Sequence, residues 1–144
     1  MDNVAAVTEA VAEKPALGEI WTTGRRKTAI ARVKITQGNG KIKVNGDSVD
    51  GYFGSQEKCL NELARIFKFI PKDKIDVLIN VVGGGVLGQI GAIKHGLARG
   101  LSEMDPSLRP KLKAEGFMRR DPRMVERKKP GQPKARKKFQ WTKR

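Results

Sequence analysis

Two stretches of the chain carry residue types that could do chemistry at useful spacing. The first is 109–144, RPKLKAEGFMRRDPRMVERKKPGQPKARKKFQWTKR, where 15 Lys and Arg stand against three acids, Glu115, Asp121 and Glu126. The difference, 15 − 3, is +12 of the +15 carried by all 144 residues. Cations at that density bind phosphates by displacing their counterions, and Phe117, Phe139 and Trp141 set among them offer rings to unpaired bases. The second stretch is Gly83-Gly84-Gly85-Val86-Leu87-Gly88, placed between an apolar run and a helical pattern. Glycine lets a backbone approach a ligand closely, and a helix start offers N–H donors to an anion. Gly83, Gly85 and Gly88 meet the spacing Gly-x-Gly-x-x-Gly, yet no Gly-Lys-Ser/Thr follows and the acidic residue of a dinucleotide fold is missing. Contact with an RNA backbone, a structural turn and nucleotide binding by an enzyme all stay open for this loop.

The other reactive types are sparse. His95 is the only histidine and Cys59 the only cysteine, so neither a two-histidine metal site, a cysteine zinc cluster nor an internal disulfide can be built. Cys59 reads as a small packed residue in a reducing compartment, and His95 beside Arg99 as part of a polar helix face. Asp47, Asp50, Glu57 and Glu62 are scattered over a turn and a helix, and nothing pairs them as acid and base. No cofactor, no metal and no enzymatic activity are expected.

These groups must be positioned by one small domain. Residues 1–20 hold four acids and one lysine and read as a flexible acidic arm, 21–116 as a globular RNA-binding domain, and 117–144 as a basic tail that orders on RNA. Pro122, Pro130 and Pro133 and the small number of aliphatic residues leave the tail too little apolar surface to offset its ordering entropy. Drawn out at roughly 3.3 Å per residue, it could reach on the order of 90 Å, several domain radii. No run approaches the length of a membrane span, and the acidic start resembles neither a secretion signal nor a transit peptide.

Within the domain, Ala29, Ala31, Val33 and Ile35 alternate with Arg26, Thr28, Arg32 and Lys34, which predicts a strand with one buried and one cationic face. Gln37-Gly38-Asn39-Gly40 then predicts a hairpin to Lys41-Ile42-Lys43-Val44, and Asn45-Gly46-Asp47 a further turn. Val49 to Phe53 suggests a helical turn. Leu60, Leu63, Phe67 and Ile70 mark a helix capped by Ser55 and stopped by Pro71, and Ile75 to Val82 is the most apolar strand and should be central. Val86, Ile90, Ile93, Leu97 and Leu101 stripe the next helix. Asp105 and Pro106 should open a last short one that ends at Gly116. The expected fold is α+β, a two-layer small mixed sheet with helices on one face.

Three stretches together are similar to the bacterial-type small-subunit ribosomal protein nine family. They are Gly24-Arg25-Arg26-Lys27-Thr28-Ala29, the long motif from Gly83 through Gln89, Lys94-His95 and Arg99 to Leu101, and the terminal series Arg120-Asp121, Glu126 to Lys129, Lys134 to Arg136 and Lys143-Arg144. The likeness spans about 21–144. It implies a fold like the second domain of small-subunit ribosomal protein five with a long extended basic tail, a place in the head of the small subunit, and no catalysis. It implies as partners ribosomal RNA, peptidyl-site tRNA and neighbouring head proteins, with no membrane, in the cytoplasm of a bacterium or, alternatively, in an organellar ribosome. The tRNA contacts implied are Lys143 and Arg144.

Cationic faces and resemblance together give the expected ribosomal RNA contacts. In the domain these are Arg25, Arg26, Lys27, Arg32, Lys34, Gly83, Gly84, Gly85, Lys94, His95 and Arg99. In the tail they are Arg119, Arg120, Arg123, Arg127, Lys128, Lys129, Lys134, Arg136, Lys137 and Lys138. The family pattern leads one to expect a proline at Phe139 and a smaller aromatic at Trp141, and it does not include the acidic arm. Two rivals are a nucleic-acid chaperone or DNA-compacting protein, and a phosphotransfer enzyme built on the glycine loop.

Overall fold

A computed structural model describes residues 18–54, 57–71 and 75–143. The expected acidic arm up to residue 17, the Ser55 cap and Arg144 lie outside them.

The β-rich run before the first cations forms β1 (Ile20–Arg26), which turns through Lys27-Thr28 into β2 (Ala29–Gln37). What reads in sequence as one strand from Gly24 is therefore a hairpin. Its turn lacks glycine, and Lys27 itself takes φ +50°. β3 (Ile42–Val44) and β4 (Asp47–Ser48) follow, joined by Asn45-Gly46, both with positive φ as a tight two-residue turn requires. Then come α1 (Val49–Phe53), capped by the Ser48 hydroxyl accepting from the Gly51 N–H at 3.1 Å, and α2 (Glu57–Phe67). β5 (Ile75–Val82), α3 (Val86–Met104), a 3-10 turn at Pro106–Leu108 and α4 (Arg109–Ala114) complete the domain.

The sheet order is β1-β2-β5-β3-β4, so the apolar strand is central as expected. The predicted hairpin between β2 and β3 does not form. β5 lies between them, antiparallel to β2 and parallel to β3. Asp76 explains the route: its Oδ1 accepts from the Asn39 and Lys41 N–H groups at 2.9 and 2.8 Å, drawing the Gly38–Gly40 loop across the end of β5. At the other end, Asn45 extends the β3 ladder by side chain. Its amide donates to the Val81 carbonyl at 3.0 Å and its Oδ1 accepts from the Val81 N–H at 2.8 Å.

One face of the sheet is buried. Ala29, Ala31, Val33, Ile35, Val77, Ile79 and Val81 meet Leu63, Ile66, Ile90, Ile93, Leu97 and Leu101 from the helices. The alternate residues Arg32, Leu78, Asn80 and Val82 are exposed, which makes an α+β fold with a mixed sheet and helices on one face. In α2 the buried line runs through Cys59, Leu63 and Ile66 rather than Leu60 and Phe67. In α3, Val86 is exposed, as is Leu87 beside it.

α3 is buried on two sides. Besides the aliphatic stripe, Gly88, Ala92, Gly96 and Gly100 recur every four residues and lie on one face, chiefly against β1 and β2. Contact is backbone to backbone: a Cβ on Gly24 would collide with the Ala92 carbonyl, and one on Gly96 would sit 3.0 Å from the Gly24 nitrogen. Thr22 Oγ1 donates to the Gly96 carbonyl at 2.8 Å across this seam.

Asp105 starts the 3-10 turn with its carbonyl, accepting from the Leu108 N–H at 3.0 Å, and its side chain makes no capping bond. α4 ends in a two-bond glycine cap. Gly116, at φ +76°, donates to the Lys113 carbonyl, and Phe117 donates back to the Leu112 carbonyl at 3.1 Å. The cap turns Phe117 inward beside Leu112, and both are buried. Phe117, which the sequence suggests as one of the tail's stacking rings, is part of the core. From residue 119 to 143 the chain forms no helix or strand.

Candidate nucleic-acid interface

The expected cations of the domain fall into two groups. Arg32 and Lys34 lie on the open sheet face, on either side of buried Val33. Arg26, on the same side of β1 as Gly24, lies against Gly91 of α3 instead and pairs with Asp121 of the tail at 3.2 Å. Its Nε is buried and has no hydrogen-bond partner among the described residues. Lys27 is exposed at the tip of the β1-β2 turn, and Arg25 shares the rim of the Arg26 hollow with Arg65, Lys94, His95, Phe117 and Arg119.

Several of these charges already have partners. Lys94 pairs with Glu62 and lies 5.9 Å from the Phe117 ring centre, while Arg65 pairs with Glu115 at 2.9 Å and covers the same ring at 5.7 Å. The Lys94 hydrogen bond, with its charge, holds the Glu62 carboxyl below the usual range. Arg99 donates to the Thr23 carbonyl at 2.9 Å and is itself exposed. His95 Nδ1 accepts from the Arg25 N–H at 3.3 Å; burial first, then Arg99 and Arg120, push its pKa down. A neutral imidazole that fixes the Arg25 backbone adds no charge for a phosphate.

The glycine loop approaches its own chain. Gly83 and Gly84 have φ +72° and +70°, and a Cβ on either would sit 2.9 Å from the Thr28 carbonyl or the Ala29 side chain. Gly85 alone has open space around it, at the start of α3. Gln89 closes the loop, donating to the Gly83 carbonyl at 3.3 Å and accepting from the Tyr52 hydroxyl at 3.3 Å.

In the tail, Asp121 accepts from the Arg123 backbone and guanidinium at 2.9 to 3.2 Å. Arg123 foremost, with Arg26 adding charge, lowers the Asp121 pKa far below the carboxylate range, and Asp121 raises that of Arg123. Glu126 pairs with Arg136 at 2.8 Å and Lys129 at 3.3 Å. Arg119, Arg120, Arg127, Lys128, Lys134, Lys137, Lys138 and Lys143 are exposed. Phe139 and Trp141 are exposed as well.

The open sheet face also carries Trp21 and Lys43, which the cation pattern did not single out. Trp21 stands in a strand hidden by its small neighbours, and Lys43 belongs to a strand whose pairing is set by distant Asp76. Lys34 Nζ lies 5.2 Å from the Trp21 ring centre. Glu19 bridges the two, accepting from Lys34 at 2.6 Å and from the indole N–H at 3.4 Å, and its own pKa is lowered chiefly by the Lys34 bond. Among the described residues no cluster of His, Cys, Asp or Glu could hold a metal ion, and no helix is long and apolar enough to cross a membrane.

The arrangement offers exposed cations on a sheet face and along an irregular tail. Comparison with known proteins agrees with that chemistry. The family model described as Ribosomal protein S9/S16 matches residues 24–144. Two relatives called small ribosomal subunit protein uS9, from Anaeromyxobacter sp. (strain K) and Anaeromyxobacter dehalogenans (strain 2CP-1 / ATCC BAA-258), are each 52% identical over 124 residues. Each alignment covers 85% of this chain and 95% of the relative.

Proposed function

The chain belongs to the Ribosomal protein S9/S16 family, structural constituents of the small ribosomal subunit rather than enzymes, and from that premise we propose that its domain holds ribosomal RNA while its tail runs through RNA to the peptidyl-site tRNA. The observation that carries this reading is the tail itself. Residues 117–144 hold 12 Lys and Arg against two acids, and 119–143 form no helix or strand. Such a segment gains its order from a polyanion that supplies phosphates along its length.

In the domain, Arg25, Lys27 and Arg32 face phosphates, with Arg99 beside them at the β1 edge, and Lys34 joins them by exchanging the Glu19 carboxylate for a phosphate. Arg26, Lys94 and His95 set the geometry of the tail root, since their polar groups already meet Asp121, Glu62 and the Arg25 backbone. Gly83 and Gly84 shape the loop, and Gly85 gives RNA its closest approach. The tail cations from Arg119 to Lys138 follow the RNA backbone, and Lys143 and Arg144 touch the tRNA. The site is a bacterial-type cytoplasmic ribosome, in the head of the small subunit, beside other head proteins.

Two measurements test this reading. A protein tagged at its N-terminus should stay with the small-subunit peak of a sucrose gradient in high salt as in low. Release at modest salt, or cofractionation with DNA, would favour a general polyanion binder. Removing Lys143 and Arg144 should leave assembly intact and speed dissociation of peptidyl-site tRNA about tenfold, the effect of losing one charge-assisted contact. Unchanged dissociation would sink the tRNA contact while leaving the rest standing.

A further inference from the structure

We propose that the open face of the sheet is a stacking platform for unpaired RNA bases, with Trp21, Lys34, Leu78 and Lys43 as its working row. This rests on the ribosomal RNA reading above and narrows it to a kind of RNA and a kind of contact. The register builds the row directly: Trp21 stands opposite Lys34, Lys34 opposite Leu78, and Leu78 opposite Lys43. With strands about 4.8 Å apart, apolar and cationic groups alternate across roughly 14 Å of sheet.

Exposure marks the row as a surface for something. Trp21 is 62% exposed and Leu78 46%, on a face where solvent alone would favour polar residues. The Glu19 bridge holds the indole and Lys34 in fixed relation, so little freedom is lost when a partner arrives. Arg32 and Asn80, opposite one another in the next row, border the same groove and offer donors to base edges.

The alternation selects the partner. An apolar protein surface laid here would strip water from Lys34 and Lys43 without replacing it, whereas single-stranded RNA brings bases to the apolar positions and phosphates to the cations. Duplex RNA keeps its base faces against one another and would gain only the charge contacts. The sheet therefore distinguishes unpaired from paired RNA by a contribution that salt does not screen.

The test uses the full chain with Trp141→Phe, which leaves Trp21 as the only indole. Labelled oligoadenylate of about 12 nucleotides, within the span of one binding surface, is titrated against an RNA duplex of equal length. Anisotropy reports binding and indole emission reports stacking. The expected result is quenching by the single strand and not by the duplex. At high salt, Trp21→Ala should weaken single-strand binding about 5- to 100-fold, with Trp21→Tyr retaining most of it. Leu78→Ser, a surface change, should weaken binding in the same direction should Trp21→Ala prove unfolded by circular dichroism. Binding with unmoved emission, equal quenching by the duplex, or full affinity in both Trp21→Ala and Leu78→Ser overturns the proposal and leaves the ribosomal RNA reading intact. Failure of both RNAs to bind overturns that broader reading and this one with it.

Discussion

Domain and tail hold their shape by different means. Among the described residues from Ile20 to Phe117 the chain is fixed by buried apolar contact, and in the Gly24–Gly96 seam by backbone against backbone. After Phe117 no described residue is buried; Met118 still packs against the core, and beyond it the charged contacts are ion pairs of Asp121 and Glu126 with arginines and a lysine. Exposed pairs of that kind contribute from nothing to about 1 kcal/mol each, against 2 to 5 kcal/mol for a large buried side chain. Buried contact of the first kind is what holds the domain, and ion pairs of the second kind contribute little to the shape of the tail.

Substitutions at the seam should show the contrast most strongly. Gly24→Ala sets a methyl group against unyielding backbone of α3 and should destabilise the domain by about 3 kcal/mol or more in urea unfolding. A loss under about 1 kcal/mol would mean that helix and strand can part easily, and the contrast with the tail would weaken. Phe117→Ala comes next. Removing a ring that Phe69, Arg65 and Lys94 surround should remove about 3 kcal/mol, the low end for a buried ring, and speed proteolysis near Met118. Unchanged stability would mean that the tail begins before this residue.

The smallest effects lie in the ion pairs. Glu62→Gln should lower stability by less than about 1 kcal/mol at neutral pH, and Glu126→Gln by nothing measurable. Because Lys94 depresses the Glu62 pKa, the folded state binds fewer protons than the unfolded one. The Glu62 contribution is thus complete above the ordinary carboxylate pKa of about 4.3 and is lost as pH falls through the depressed folded value. Parent and Glu62→Gln stability curves should converge on acidification. A difference that persists at low pH would assign the effect to packing instead of charge.

Much of the domain was legible in local pattern. The Ala29–Ile35 alternation, the central β5, the start of α1 at Val49 and the aliphatic stripe of α3 are set by residues two to four apart. What escaped depends on partners far along the chain. The β2-β3 hairpin was the natural reading of two glycines in a polar loop, and it fails because Asp76, about 36 positions on, takes the loop across β5. The glycines of α3 have no place in its aliphatic stripe, and only Gly24 and Val33 opposite show why a smooth face is needed there. The same limit applied to the candidate site. Lysine and arginine counts located the charge, but no local signal says that Arg26 meets Asp121, that Lys94 meets Glu62, or that His95 serves the Arg25 backbone.

The placement of β5 between two earlier strands also sets a schedule for a chain made from its N-terminus. β1 and β2 can close on each other as soon as they emerge, but β2 and β3 each wait with an open edge for a strand that is complete only at Val82. At roughly 5 to 20 residues per second, that interval is about 2 to 9 s of exposed edge during synthesis. α3 follows at once to lock β1, and the polycationic segment emerges last. Every strand of the sheet and the helix that covers it are thus made before the most highly charged part of the chain, residues 119–143.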